Sequence, residues 1–329
     1  MKTFDYRRAS SVSDAIDAAV QTGGAYLAGG TNLVDLMKYG VAQPPALIDL
    51  GRLGLTSVTA TEAGGVYIEA GVTNSALANH TLIRTRYPVL SQAILSGATV
   101  QIRNMATAGG NLLQRTRCPY FMDTDFVQCN KRAPGSGCAA LNGFNREHAV
   151  LGAAQGCVAT NPSDMAVALT ILDAVVHVAG PGGARRIPIG EFFRLPGATP
   201  EIDNALEPAE LIVGVELPPS PYPAKSWYLK VRDRHSYAFA LVSVAVGVVL
   251  SDGVIASAAM ALGGVAPKPW RLVESEAALV GKAPGPRAFR AAARAAMSGA
   301  QPLSQNAFKI DLARQAVIRA LTLAAGAAG

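Results

Sequence analysis

The sequence predicts an α+β protein, with small α/β units first and an antiparallel sheet backed by helices at the end. Three observations carry this. "AYLAGGTNLVDLMK" and the segments around it alternate short apolar strands, glycine turns and helical patterns. The apolar run from Phe239 to Leu250 is followed by Asp252-Gly253 and a second apolar stretch, a hairpin signal. From Glu274 to Ala325 the chain is alanine-rich with helical periodicity. At 329 residues it exceeds one ordinary core and predicts more than one domain.

The first helix, Ser13 to Val20, reads as capped by Ser13 and stopped at Gly23-Gly24. "AYLAGGTNLVDLMKYG" supplies a strand, a glycine turn and a helix with Leu33, Leu36 and Met37 on one face. "ALIDLGRL" and "VYIEAGV" are further strands, the second entered from a Gly64-Gly65 turn. Helical spacing runs from Asn74 to Gly97 around a break at Pro88. A second glycine turn, "TAGGN", leads into a polar region; a helix then begins at Asp164 and a strand runs to Val178. The proline-rich join from Leu217 to Lys225 is the domain boundary, dividing residues 1–221 from 222–329.

Composition narrows the function. The net charge of +6 comes from scattered residues with no basic run, which argues against nucleic acid and fits a phosphate-bearing cofactor or an acidic partner. The longest apolar run falls well short of the roughly 20 residues that span a bilayer, so no membrane span is expected. Arg7 and Arg8 suggest a twin-arginine export signal, but Asp14 and Asp17 interrupt the apolar stretch such a signal needs.

Two glycine turns, Ala28 to Asn32 and Thr107 to Asn111, each carry a hydroxyl and an amide. Glycines let backbone N–H groups approach a ligand, and two such turns can clasp a pyrophosphate. Neither matches G-x-G-x-x-G or the P-loop, so by pattern alone both also read as plain tight turns.

"LAGGTNLVDLMK", "QIRNMATAGGN", "NPSDMAVAL", "YLKVRDRHSYAFALVSVA" and "ALGGVAPKPWR" occur in that order, and with them the chain resembles the flavoprotein subunits of the xanthine dehydrogenase and carbon monoxide dehydrogenase family. The resemblance covers nearly the whole chain and implies FAD bound in a fold like that of vanillyl-alcohol oxidase, two α/β subdomains followed by a smaller flavoprotein C-terminal domain. It implies that Leu27, Ala28, Gly29, Gly30, Thr31, Asn32, Leu33 and Val34, with Thr107, Gly109, Gly110 and Asn111, hold the pyrophosphate and ribityl parts, largely through backbone N–H groups. Asp164 would accept hydrogen bonds from the flavin side, Ile212 would pack on the ring, and Lys230 would approach its polar edge and stabilise the anionic reduced form. Without the resemblance, Asp164 reads as a first-turn carboxylate, Ile212 as strand core and Lys230 as an exposed strand residue. His235 and Tyr237 carry the same ambiguity.

The cysteines fall at Cys118, Cys129, Cys138 and Cys157, with no C-x-x-C pair. Zinc sites favour close pairs. Two disulfides would require an oxidising compartment. Inert thiols are a poor fit to a Pro/Gly-rich polar loop. A [4Fe–4S] cluster tolerates irregular spacing, and Arg115, Arg117, Lys131 and Arg132 would offset its negative charge. In the family pattern "GGN" is followed closely by Pro-x-Ser-Asp; here an insert at about 115–158 containing all four cysteines separates them. The resemblance to periplasmic aldehyde oxidoreductases, and to the related insert of 4-hydroxybenzoyl-CoA reductase, implies that the cysteines ligate a [4Fe–4S] cluster beside FAD.

The expectation is therefore an FAD and [4Fe–4S] electron-transfer subunit of a heterotrimeric molybdenum-dependent aldehyde oxidoreductase. A large partner would hold the molybdenum cofactor, a small partner [2Fe–2S] clusters, and an external acceptor would take the electrons. No residue is assigned to substrate chemistry on this chain. The alternatives are the flavin subunit of a xanthine dehydrogenase or hydroxybenzoyl-CoA reductase type enzyme, or a non-enzymatic Fe–S or zinc sensor. The same resemblance implies a periplasmic location reached by co-export with a signal-bearing partner, with a cytoplasmic complex as the alternative.

Overall fold

Three sheets organise the chain, and the computed structural model describes residues 1–326. In the first, β1 (Asp5–Arg8), α1 (Val12–Thr22), β2 (Ala25–Leu27), α2 (Leu33–Lys38) and β3 (Ala46–Asp49) form a parallel unit ordered β1-β3-β2. Ser11 rather than Ser13 caps α1: its hydroxyl accepts the Asp14 N–H, while the Asp14 carboxylate accepts the Ser10 N–H at 2.8 Å, closing the helix end from both sides. Gly23 stops the helix in the left-handed region, φ 62°. Arg7 and Arg8 are strand residues paired with Asp14 and Asp49.

The second sheet is antiparallel, ordered β4-β5-β8-β6-β7. β4 (Val58–Ala60) and β5 (Val66–Glu69) form the expected hairpin over Gly64-Gly65. The helical stretch after it breaks twice, not once, giving α3 (Asn74–Asn79), α4 (Thr81–Arg86) and α5 (Pro88–Ser96). His80, in extended conformation, ends α3 and caps α4 through its own ring, which is the break that a proline search misses. Next come α6 (Val100–Met105), α7 (Ala108–Leu112), α8 (Pro119–Met122), α9 (Asp164–Ile171), β6 (Val175–Gly180), β7 (Gly183–Pro188), α10 (Ile189–Phe192) and β8 (Leu211–Leu217). Every residue of α9 after Asp164 is buried, so this helix fills the core between the second sheet and the third.

The third sheet, β12-β11-β10-β9, is antiparallel throughout. Its strands are β9 (Ser226–Val231), β10 (Val242–Ser251), β11 (Val254–Gly263) and β12 (Trp270–Arg271). β10 begins at Val242, leaving Phe239 half-exposed in the loop before it. α11 (Val273–Leu279), α12 (Pro286–Ala296) and α13 (Phe308–Ala325) cover the sheet, α12 burying Ala288, Phe289, Ala292, Ala293 and Ala296. No helix among the described residues is long and apolar enough to cross a membrane.

Candidate cofactor-binding site

The first glycine turn packs against the Met105–Ala106 segment that leads into the second, about 80 residues on in sequence. A methyl group on Gly29 would overlap the Met105 carbonyl two residues ahead of Thr107, so only glycine permits the approach. Gly30 takes φ 71°, and Gly109 lies against Ala70. The turns use their N–H groups differently. In the second, Thr107 caps α7, and the N–H groups of Ala108, Gly109, Gly110 and Asn111 are all taken by Val72, Ala70 and Thr107. In the first, the N–H groups of Gly29 to Asn32 find no acceptor among the described residues, and the buried Asn32 Nδ2 is likewise unpartnered. Unsatisfied donors around a glycine turn fit an anionic oxygen, such as one of a pyrophosphate.

Side chains tie these turns to their surroundings. Asn32 Oδ1 accepts the Arg115 N–H at 3.0 Å, and Asn111 Oδ1 accepts the Ser163 hydroxyl at 2.6 Å. The "NPSD" segment is thereby fixed beside "TAGGN", although a long insert separates them.

Asp164 opens α9 and meets Lys230 of β9 in an ion pair of 2.7 Å, with side chains 10% and 3% exposed. The Tyr228 hydroxyl donates to the other carboxylate oxygen at 2.6 Å; burial, with Asp164 beside it, pushes that phenol well above its ordinary range. Lys230 also reaches the Ser96 carbonyl at 3.3 Å. It is thus not the exposed strand residue that pattern alone implies. Ile212 lies in β8, 2% exposed, within the core of the second sheet. His235 and Tyr237 are exposed.

All four cysteines are free and line one pocket with about 280 Å³ of empty space, also bordered by His148, Lys131 and Asn130. Local bonds bring them there. Cys118 starts α8 ahead of Pro119. Cys129 and Cys138 face each other as a single antiparallel bridge. Asn130 joins this bridge to the last cysteine, accepting the Gly137 N–H at 2.8 Å and donating to the Gly156 carbonyl at 2.9 Å. Burial pushes the Cys118 thiol up to about 12 and raises Cys157, with Lys131 opposing the latter. Among the described residues no three His, Cys, Asp or Glu side chains are gathered as ligands of one ion.

The insert is anchored to α2, the helix after the first glycine turn, through Arg117, which pairs with Asp35 at 2.6 Å and stacks over Phe239. A neighbouring pocket with about 550 Å³ of empty space is lined by Cys118 and His148 and also by Ser163 and Asp164. No signal in the sequence marks His148, whose Nε2 is 3.1 Å from the Cys118 sulfur. Burial and the nearby Lys309 hold that imidazole down to about 4. Lys309 is unmarked as well; wholly buried at the start of α13, it donates to the carbonyls of Glu147, His148 and Gly264 at 2.9, 3.0 and 2.6 Å. No local pattern marks either residue, because their partners lie far away in sequence.

Residues 2–220 match the family described as the FAD binding domain in molybdopterin dehydrogenase, and residues 227–324 match the CO dehydrogenase flavoprotein C-terminal domain. The chain is 50% identical over 323 residues to the aldehyde oxidoreductase FAD-binding subunit PaoB of Escherichia coli (strain K12), covering 98% of each. It is 28% identical over 284 residues to the carbon monoxide dehydrogenase medium chain of Afipia carboxidovorans, covering 85% of this chain and 81% of that one. Its fold superposes on a chain of reconstituted CO dehydrogenase from Oligotropha carboxidovorans with a TM-score of 0.78, at 25% identity over 99% of each chain.

Proposed function

From the premise that the chain belongs to the FAD-binding medium subunits of the molybdenum hydroxylase family, we propose that it is the FAD and [4Fe–4S] electron-transfer subunit of a heterotrimeric aldehyde oxidoreductase. The observation that carries this reading is the convergence of Cys118, Cys129, Cys138 and Cys157 on one pocket, with Cys118 also bordering the pocket that reaches Asp164. Four sulfurs lining one space match the four thiolates that ligate a [4Fe–4S] cluster, and their spacing lacks the close pairs that zinc sites favour.

FAD supplies two-electron acceptance with release singly or in pairs. The chain's own residues do the rest. The unsatisfied donors of Gly29 to Asn32 bind the pyrophosphate, and the Asp164–Lys230 pair orders the polar end of the site. Of the cations around the insert, Lys131 lines the cysteine pocket; it and Arg115 converge on Asp203, and Arg117 pairs with Asp35. Electrons would arrive from a molybdenum cofactor and [2Fe–2S] clusters on a large and a small partner and leave to an external acceptor. The domain division at 221/222 belongs to the same reading. So does a periplasmic location reached by co-export with a signal-bearing partner, which cell fractionation with and without that partner tests.

The decisive experiment is an optical spectrum with flavin and metal analysis of the purified protein. One flavin and four iron atoms per chain are expected; zinc without flavin refutes the proposal.

A further inference from the structure

His148 is 3% exposed, and its Nε2 faces the Cys118 sulfur at 3.1 Å. Its Nδ1 is also buried and has no hydrogen-bond partner among the described residues. The two neutral tautomers are therefore not equivalent. A proton on Nδ1 strands a buried donor, whereas a proton on Nε2 points at the sulfur and leaves only an acceptor lone pair unused. The backbone here is held from several sides: the His148 N–H donates to the Asn145 carbonyl at 3.1 Å, and its carbonyl accepts from Lys309 Nζ at 3.0 Å and Asn306 Nδ2 at 3.2 Å. The backbone that carries the ring is thus held by the leading end of α13.

We propose that His148 is a positioning residue that donates its Nε2–H to the Cys118 sulfur and thereby raises the reduction potential of the iron–sulfur group ligated there. The inference rests on the reading of the four cysteines as cluster ligands. Uptake of one electron increases the negative charge shared by the ligating sulfurs. An N–H aimed at one of them interacts more favourably with that more negative state, while the proton stays on nitrogen. Cys118 is the cysteine that also borders the pocket reaching Asp164, so the donor sits on the side facing the candidate flavin site.

The test uses the full-length chain in the complex with which it copurifies. Iron, flavin and the midpoint potential, followed by electron paramagnetic resonance, are measured for wild type, His148→Phe and His148→Gln. In the wild type, 15N-labelled histidine is examined by pulsed resonance for nitrogen coupled to the reduced cluster. His148→Phe fills the ring's space without a donor and should lower the midpoint potential while iron and flavin remain. His148→Gln, whose amide donates, should recover part of the shift. An unchanged potential in iron-replete His148→Phe overturns the inference. If that variant fails to assemble the cluster, the wild-type nitrogen coupling decides, and its absence overturns the inference. Wild-type protein with flavin but no iron sinks the cluster reading itself, a separate outcome.

Discussion

Lys230 Nζ lies 2.7 Å from Asp164 Oδ2 with both side chains almost wholly out of water, so the cation expected at the flavin's polar edge carries its own counter-ion. The Tyr228 hydroxyl occupies the other carboxylate oxygen. The pair joins the first residue of α9 to β9, an edge strand of the third sheet, linking the two parts of the chain at the candidate site.

Breaking this pair from one side strands a buried charge. Asp164→Asn should lower stability by about 3–5 kcal/mol. Lys230→Met added to it should recover a substantial part, because the stranded ammonium is then gone. A double-mutant cycle by denaturant unfolding measures this, and strictly additive losses would count against the coupling.

Gly29→Ala forces a methyl group into the Met105 carbonyl. The first glycine turn and the Met105 segment must then part, at about 1–3 kcal/mol of strain. Flavin affinity should fall about tenfold or more, since 1.4 kcal/mol corresponds to a factor of ten. Gly182→Ala, where an added methyl meets nothing, is the control; equal flavin retention in both would reject the close-approach argument.

Cys129→Ser should remove iron while leaving FAD largely bound. The glycine turns and the Asp164–Lys230 pair lie outside the cysteine pocket, whose lining includes none of them. Iron and flavin content of the purified variant check this. A full iron complement would exclude Cys129 as a ligand.

Lys309 gives a pH signature. Burial pushes its ammonium down to about 7 in the folded chain, against 10.5 for the ordinary group, while three carbonyl acceptors oppose the shift. Between those values the unfolded chain binds more protons, so this residue makes the fold more stable as pH rises, by at most about 1.4 kcal/mol per unit. The stability of wild type relative to Lys309→Met should therefore increase from about pH 7 to about pH 9 in paired unfolding experiments. A flat difference would mean that the carbonyls hold the ammonium at its ordinary value.

Much of the fold was legible because its signals are local. The hairpin at Asp252-Gly253, the stop at Gly23 and the alanine-rich final helices follow from turn chemistry and periodicity within a few residues. Two local expectations failed where a side chain outcompeted the expected signal: Ser11 took the cap through Asp14, and His80 broke a helix with its own ring. "TAGGN" read as a turn like "AGGTN", yet it opens a short helix whose N–H groups are already paired. That distinction depends on the carbonyls of Ala70 and Val72, which belong to another segment.

The order of elements, the family resemblance and the interruption of a flavin-binding pattern by a cysteine-bearing insert are all written in the linear chain. Only the tertiary structure decided that the four sulfurs share one pocket, that Lys230 is neutralised by Asp164, and that His148 faces Cys118. Each of those relationships joins residues 26 or more positions apart, or depends on such a contact, as when Asn130 reaches Gly156 or Lys309 clamps His148 from 161 positions away. Periodicity and capping act over a turn or two of chain. Burial and charge pairing act through space, and they take effect only once packing has removed the water between partners.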